Sequence, residues 1–188
     1  MLFTFIFEFK IIGIMEMVKA TEKDIPAIQD LARRSWENAY AEILSGEQME
    51  YMLSTMYSAS EIAEQLQNPR YHYYLIKDES DGVFAGFIGY ENDYEERTTK
   101  LHRIYLVPES KGKGIGKYGL EFLKEKVAEY GDERIILNVN KYNPARNFYE
   151  SQGFSVYDKG VFDIGNGFVM DDYLMQLPIE NQTDKKFL

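Results

Sequence analysis

Apolar residues recur along this chain with two periods, and the switches between them mark its elements. Behind Thr21-x-x-Asp24, a capping-box-like start, Ile25, Ile28, Leu31, Ala32 and Trp36 recur at helical spacing. Ser45-x-x-Gln48 and Ser58-x-x-Glu61 open two further short helices. Residues 71–77 and 83–90 are strand-like runs about Asp81-Gly82, a pattern that predicts a hairpin. Residues 92–99 (NDYEERTT) read as a charged connection, and 98–107 as a strand running into a glycine-rich turn. Beyond the turn, Ile115, Gly119, Phe122, Leu123, Val127 and Tyr130 share one helix face, which Gly131 ends.

The run at 134–140 (RIILNVN) is β-branched and apolar, as a buried parallel strand should be. A helix follows over 143–152, with Asn143 as N-cap and Pro144 at the first helical position. Residues 154–164 and 168–177 form a last pair of strands about Gly165-Asn166-Gly167. No repeat, low-complexity tract or linker interrupts the order, which predicts one α/β domain over 15–178 with two or three helices near its front. Residues 1–14 are apolar, but Glu8 and Lys10 interrupt them and they are too short to span a bilayer. They lack a positive n-region and a cleavage site, so an upstream start or loose extension is expected, an extra edge strand being the alternative. Residues 179–188 are expected to be a flexible polar tail.

Composition narrows the chemistry. A formal charge of −10 argues against nucleic acid or an anionic membrane as partner and is compatible with a small cationic substrate. With no cysteine there is no thiol nucleophile and no thiolate metal site, and two histidines, His72 and His102, leave little for zinc. No metal is expected.

The most informative stretch is 101–117, LHRIYLVPESKGKGIGK, a strand, a basic glycine-rich turn and a helix start in that order. Glycines let backbone N–H groups approach an anion, and a helix start adds unpaired donors with partial positive charge. A Walker loop would need Gly in place of Lys111 and Ser or Thr in place of Tyr118; the dinucleotide fingerprint would want Gly in place of Lys117. What remains, Lys111-x-x-Gly114-x-Gly116, resembles the Gln/Arg-x-x-Gly-x-Gly/Ala loop of the GNAT N-acetyltransferases, with lysine in the first place. A solvated strand–helix connection is the competing reading. The second stretch, 137–154 (LNVNKYNPARNFYESQGF), resembles the same family's Asn-x-x-Ala-x-x-x-Tyr-x-x-x-Gly-Phe. Ala145, Tyr149, Gly153 and Phe154 match in register, whereas Asn143 lies one residue nearer the alanine.

The resemblance covers roughly residues 17–178, and its implications are specific. It implies a single mixed central sheet with antiparallel N-terminal strands and helices on both faces. Acetyl-CoA would be the cosubstrate, its pyrophosphate on Lys111, Gly112, Lys113, Gly114, Ile115, Gly116 and Lys117, with Asn143 a further contact. The backbone of Ile104, Tyr105 and Leu106 would hold the pantetheine arm and supply an oxyanion donor where two strands splay apart. Tyr149 matches the tyrosine that protonates the leaving thiolate; core packing of Phe148-Tyr149 is the alternative.

Within the family, His102-Arg103-Ile104-Tyr105, the Asn-Phe-Tyr helix and residues 172–177 are most similar to PaiA-type polyamine N-acetyltransferases. Those carry Glu where His102 stands. Strand alternation would set Lys100, His102, Ile104 and Leu106 on one side, so His102 is the candidate base, and a half-buried histidine without a role is the alternative. Trp36 and Tyr40 suit either an aromatic wall for a cation or core packing. The resemblance implies that the strand of Asp172 borders the acceptor groove; Asp171 is adjacent and must point the opposite way, so only one of the two can face that groove, and Asp172 is the candidate. Glu91, Asp93, Glu95 and Glu96 either attract the substrate or form a solvated face.

The expectation is a cytoplasmic enzyme that transfers acetyl directly to a small amine such as spermidine or spermine, with a homodimer left open. Its rivals are transfer to a protein N-terminus, lysine, amino acid or aminoglycoside, and a non-catalytic acetyl-CoA sensor.

Overall fold

In the computed structural model, which describes residues 15–179, the period-2 runs form β1 (Met15–Lys19), β2 (Tyr71–Asp78), β3 (Val83–Glu95), β4 (Thr98–Leu106), β5 (Arg134–Asn140), β6 (Ser155–Gly165) and β7 (Phe168–Pro178). They make one seven-stranded sheet in the order β1-β2-β3-β4-β5-β7-β6. Every neighbouring pair is antiparallel except β4–β5. That parallel pair is brief: Thr98, Thr99 and Lys100 lie against Arg134, Ile135 and Ile136, and there the pairing ends. Beyond it β4 stays with β3 as far as Leu106, and β5 stays with β7 as far as Asn140. The two halves of the sheet therefore part company.

Helices cover both faces, as the resemblance implies. On one face α1 (Ile25–Ala39), α2 (Gly46–Met56) and α3 (Ala59–Gln67) bury Ile28, Trp36, Leu53 and Ile62 against Tyr73, Leu75 and Phe87. On the other, α4 (Ile115–Tyr130) and α5 (Ala145–Ser151) bury Leu120, Leu123, Val127 and Tyr149 against Ile88, Leu101 and Leu137. The caps read from sequence form: Ser45 Oγ accepts from Gln48 N and Ser58 Oγ from Glu61 N, each at 3.1 Å. Asp24 Oδ2 accepts from Thr21 N at 2.8 Å.

Two elements depart from expectation, the first for a non-local reason and the second for a local one. The stretch at 92–95 is not a free connection but the end of β3, held by polar bonds the hydrophobic pattern does not register. Asn92 Nδ2 donates to Thr99 Oγ1 at 2.8 Å, and Thr99 Oγ1 donates to Asp132 Oδ2 at 2.6 Å. The last helix starts at Ala145 rather than 143, yet Asn143 does cap it, its Oδ1 accepting from Ala145 N at 2.9 Å. Beyond β7, Ile179 N donates to Glu133 O at 2.7 Å, which ties the end of β7 to the residue before β5. Residues 1–14 and 180–188, to which the extension and tail expectations apply, lie outside the described residues. No helix of the described residues is long and apolar enough to cross a membrane.

Candidate active site

Where β4 leaves β5, a cavity of about 240 Å³ opens between them. Leu101–Leu106 form one wall, Leu137–Val139 the other, and Tyr40, Asn143, Ala145, Phe148 and Tyr149 close it from α1 and the α5 end. Ile104, Tyr105, Leu106 and Gly116 thus line one space with Asn143 and Tyr149, although Gly116 and Tyr149 are 33 positions apart in the chain. The parallel ladder ends at Lys100–Ile136, so neither facing strand edge pairs with the other along this wall. Backbone donors and acceptors there can serve a ligand.

The glycine turn stands at the head of α4. Gly112 and Gly114 both have φ near 78°, a left-handed conformation that a Cβ would strain, with nothing within 4 Å to meet that Cβ. Their role is backbone shape. Gly116 answers a different need, since its Cβ would lie 3.1 Å from Phe148 Cζ. The first-turn N–H groups of Ile115, Gly116 and Lys117 have no carbonyl partner among the described residues; the helix ladder begins with Tyr118 N on Gly114 O at 3.1 Å. Lys111, Lys113 and Lys117 are exposed around these donors, whereas the Ile115 side chain is buried with Ile76 and Ala85 and offers only its backbone. The turn can hold an anion with pyrophosphate character.

Tyr149 is buried between Phe148 and Phe154, ring centroids 5.5 and 5.6 Å away. Burial, with Tyr40 beside it, raises its hydroxyl well above the usual phenol range, so it carries a proton at neutral pH and can donate it. Burial likewise pushes Tyr40 up to about 12, with hydrogen bonding from Asn143 pulling the other way.

Strand alternation fails at His102. Gly89 pairs with Arg103 and Tyr90 with Leu101, so His102 is an extra residue, a β-bulge. It therefore does not share a side with Ile104. Ile104 packs toward Gly119 of α4, its Cδ1 3.3 Å from where a Cβ would sit. His102 turns with Arg103 and Tyr105 to the α1–α3 face, its ring stacked on Tyr71 at 4.9 Å. Burial first, then the charges of Lys100 and Arg103, push its imidazole down to about 3, so the ring is neutral at neutral pH.

Two further cavities meet at His102. An open groove of about 610 Å³ is lined by Glu61, Glu64, Glu91 and Arg103. A pocket of about 230 Å³ lies among Trp36, Tyr40, Tyr105, Phe162 and Asp172. Trp36 resolves largely to core: it is 2% exposed, packed on Tyr40 at 4.7 Å and on Tyr57 and Tyr105 at 5.9 Å. Asp172 is 6% exposed, and its Oδ1 has no hydrogen-bond partner among the described residues. Burial raises its carboxyl above the usual range, opposed by Asn138. Asp171 points away and pairs with Lys141.

Sequence reasoning missed Arg103 and undervalued Glu91. Arg103 is buried and ties α2 and α3 to the sheet: Nη1 donates to Gln65 Oε1 at 2.8 Å and to the Tyr71 and Tyr73 hydroxyls, and Nη2 to Met56 O at 3.0 Å. The alternating tyrosines of YHYY, which supply its acceptors, were the available signal. Glu91 is half-buried, its Oε2 3.2 Å from His102 Nε2.

The depressed His102 has a thermodynamic consequence. Its folded pKa lies below the ordinary imidazole value of about 6.5, so between about 6.5 and 3 the unfolded chain binds more protons. Its contribution is complete above pH 6.5 and is lost as pH falls toward 3. His72, lowered chiefly by burial, acts with the same sign. Denaturant unfolding should show the stability advantage of wild type over His102→Gln shrinking below pH 6.5, by at most about 1.4 kcal/mol per pH unit. Parallel stability curves would contradict the buried neutral ring.

Comparison with known proteins agrees with this geometry. The chain matches the acetyltransferase (GNAT) family over residues 25–154. It is 28% identical over 160 residues to the spermidine N(1)-acetyltransferase of Thermoplasma acidophilum, covering 84% of this chain and 96% of that one. It is 26% identical over 159 residues to an N-acetyltransferase of Lactobacillus delbrueckii subsp. lactis, covering 81% and 91%. The crystal structure of the PaiA N-acetyltransferase from T. acidophilum in complex with coenzyme A superposes with a TM-score of 0.74 at 25% identity, over 88% of this chain and 99% of that one. A parted sheet, a glycine turn at a helix start and a protonated tyrosine between them mark this chain as a member of the acetyltransferase (GNAT) family, an N-acetyltransferase.

Proposed function

We propose that this chain transfers acetyl from acetyl-CoA directly to a primary amine, and that a polyamine is its favoured acceptor. The residues fit the cosubstrate: orphaned N–H groups of α4 with lysines around them suit a pyrophosphate, and the narrow gap between β4 and β5 suits a thin pantetheine arm. Acetyl-CoA, when bound, supplies the activated thioester. Backbone at Ile104–Leu106 would orient its carbonyl, and Tyr149 Oη would hold a proton for the departing sulfur. The chain has no cysteine, so transfer does not pass through an acetyl-cysteine. An amine near pKa 10 must lose a proton before it attacks; His102, held neutral where the three cavities meet, would pass that proton on toward solvent rather than retain it.

One observation carries the polyamine reading. Asp172 keeps an unpartnered carboxylate oxygen buried in an aromatic pocket beside the reaction space, an arrangement that costs free energy until a cation fills it. A second ammonium of the acceptor answers that need, flanked by Tyr40 and Tyr105. Glu61, Glu64 and Glu91 along the open groove favour the approach of the same cation. The likeness to a relative named for spermidine supports the reading.

Three measurements test it. Tyr149→Phe removes one hydroxyl and little volume, so kcat should fall by roughly 10²-fold while the KM for acetyl-CoA stays near wild type. Full turnover by the variant would reduce Tyr149 to a packing residue. Across a panel of amines, spermidine or spermine should exceed monoamines in kcat/KM, with the advantage reduced by salt. Asp172→Asn should raise the KM for spermidine by about tenfold and that for a monoamine far less. Faster turnover of peptides or amino acids than of every polyamine would overturn the acceptor assignment.

A further inference from the structure

Glu91 sits on β3 across from Lys100, beside the bulge that carries His102. Its side chain is 14% exposed, with Oε2 3.2 Å from His102 Nε2 and Oε1 3.8 Å from Arg70 Nη2. The imidazole is held on other sides too, stacked on Tyr71 at 4.9 Å with 21° between planes and edge-on to Tyr94 at 5.7 Å. A ring so confined cannot turn without losing these contacts. Carboxylate oxygens only accept, so a neutral imidazole facing one keeps its proton on the facing nitrogen. That leaves Nδ1 as the ring's lone-pair nitrogen.

We infer that Glu91 is a positioning residue: it fixes His102 as the Nε2–H tautomer, so that Nδ1 takes the proton from the acceptor ammonium. The inference rests on the acetyltransferase reading for its kinetic consequence, though not for its structural one. In the step, the ammonium N–H bond breaks and an N–H bond forms at Nδ1, while the Nε2 proton stays on the ring and bonded to Glu91. The positive charge that then forms on the ring faces Lys100 and Arg103 of β4, with the Tyr71 and Tyr94 rings against it. Among the described residues Glu91 is the carboxylate hydrogen-bonded to the ring, and it offsets that charge. Both His102 and Glu91 line the open groove, which gives the proton a way out to solvent. Strand β4 carries no carboxylate at this position; the neighbouring strand supplies one through the histidine.

The test pairs a spectrum with a double-mutant cycle. The sequence has two histidines, so long-range ¹H–¹⁵N imidazole spectra of the unliganded protein can be assigned with His102→Gln. His102 should be the Nε2–H tautomer in wild type and a mixture in Glu91→Leu. Both Glu91→Leu and Glu91→Gln should lower kcat about tenfold or more with the KM for acetyl-CoA unchanged. In the His102→Gln background either change should add almost nothing. An Nδ1–H tautomer in wild type, a tautomer unchanged by Glu91→Leu, or additive losses in the double variant would overturn the inference. If wild type acetylates no amine, the acetyltransferase reading fails by itself, and the tautomer spectra still decide the role of Glu91.

Discussion

Everything at this site depends on two parallel strands that stop pairing. Three residues of β4 lie against three of β5, and then β5 follows its antiparallel partner β7 while β4 follows β3. Each strand keeps one satisfied edge and exposes the other. Unpaired backbone in a protein interior is costly unless something takes its hydrogen bonds, so the gap is a built-in demand for a polar, narrow ligand. Aromatic residues of α5 hold the gap open from one side: Phe148 packs against Gly116 and Tyr149 against Phe154. The same helix that maintains the opening therefore supplies the candidate proton donor.

The α1–α3 side of the gap is organised by buried charge. Arg103, hidden beneath α2 and α3, fastens both to β2 and β4 through hydroxyl, amide and carbonyl oxygens rather than through a carboxylate. Its charge is fixed beside His102 and helps to hold that ring neutral. Asp172 brings the opposite sign from β7 and has an oxygen with no partner. A flexible cation between these groups would meet attraction at Asp172 and Glu91 and repulsion near Arg103, a pattern that sets orientation as well as affinity.

Local chemistry was legible in the sequence and non-local chemistry was not. Helix starts at Ser45 and Ser58, the turn at Gly112–Gly116 and the Ala145–Phe154 segment are each specified within a few residues. The bulge at His102 depends instead on how β3 registers against β4, and alternation alone gave that side chain the wrong neighbours. The end of β3 was hidden because Asn92, Thr99 and Asp132 hold it with polar bonds across distant segments. Arg103 looks like any surface arginine until Tyr71 and Tyr73 are placed beside it. The Trp36 and Tyr40 spacing allowed two readings, and the packing distances bury Trp36 among Tyr40, Tyr57 and Tyr105 while it still lines the pocket of Asp172.

Calorimetric titration of acetyl-CoA into wild type and Gly114→Asp shows whether the glycine turn and the parted strands together form an acetyl-CoA site. Aspartate tolerates the left-handed conformation better than most residues, so the variant should keep its fold, as circular dichroism can verify. It places a negative charge at the α4 N-terminus, where the pyrophosphate would lie. Saturable one-site binding by wild type, weakened about tenfold or more in the folded variant, is the expected result. Equal affinity in a folded Gly114→Asp protein, or no binding by wild type, would contradict it.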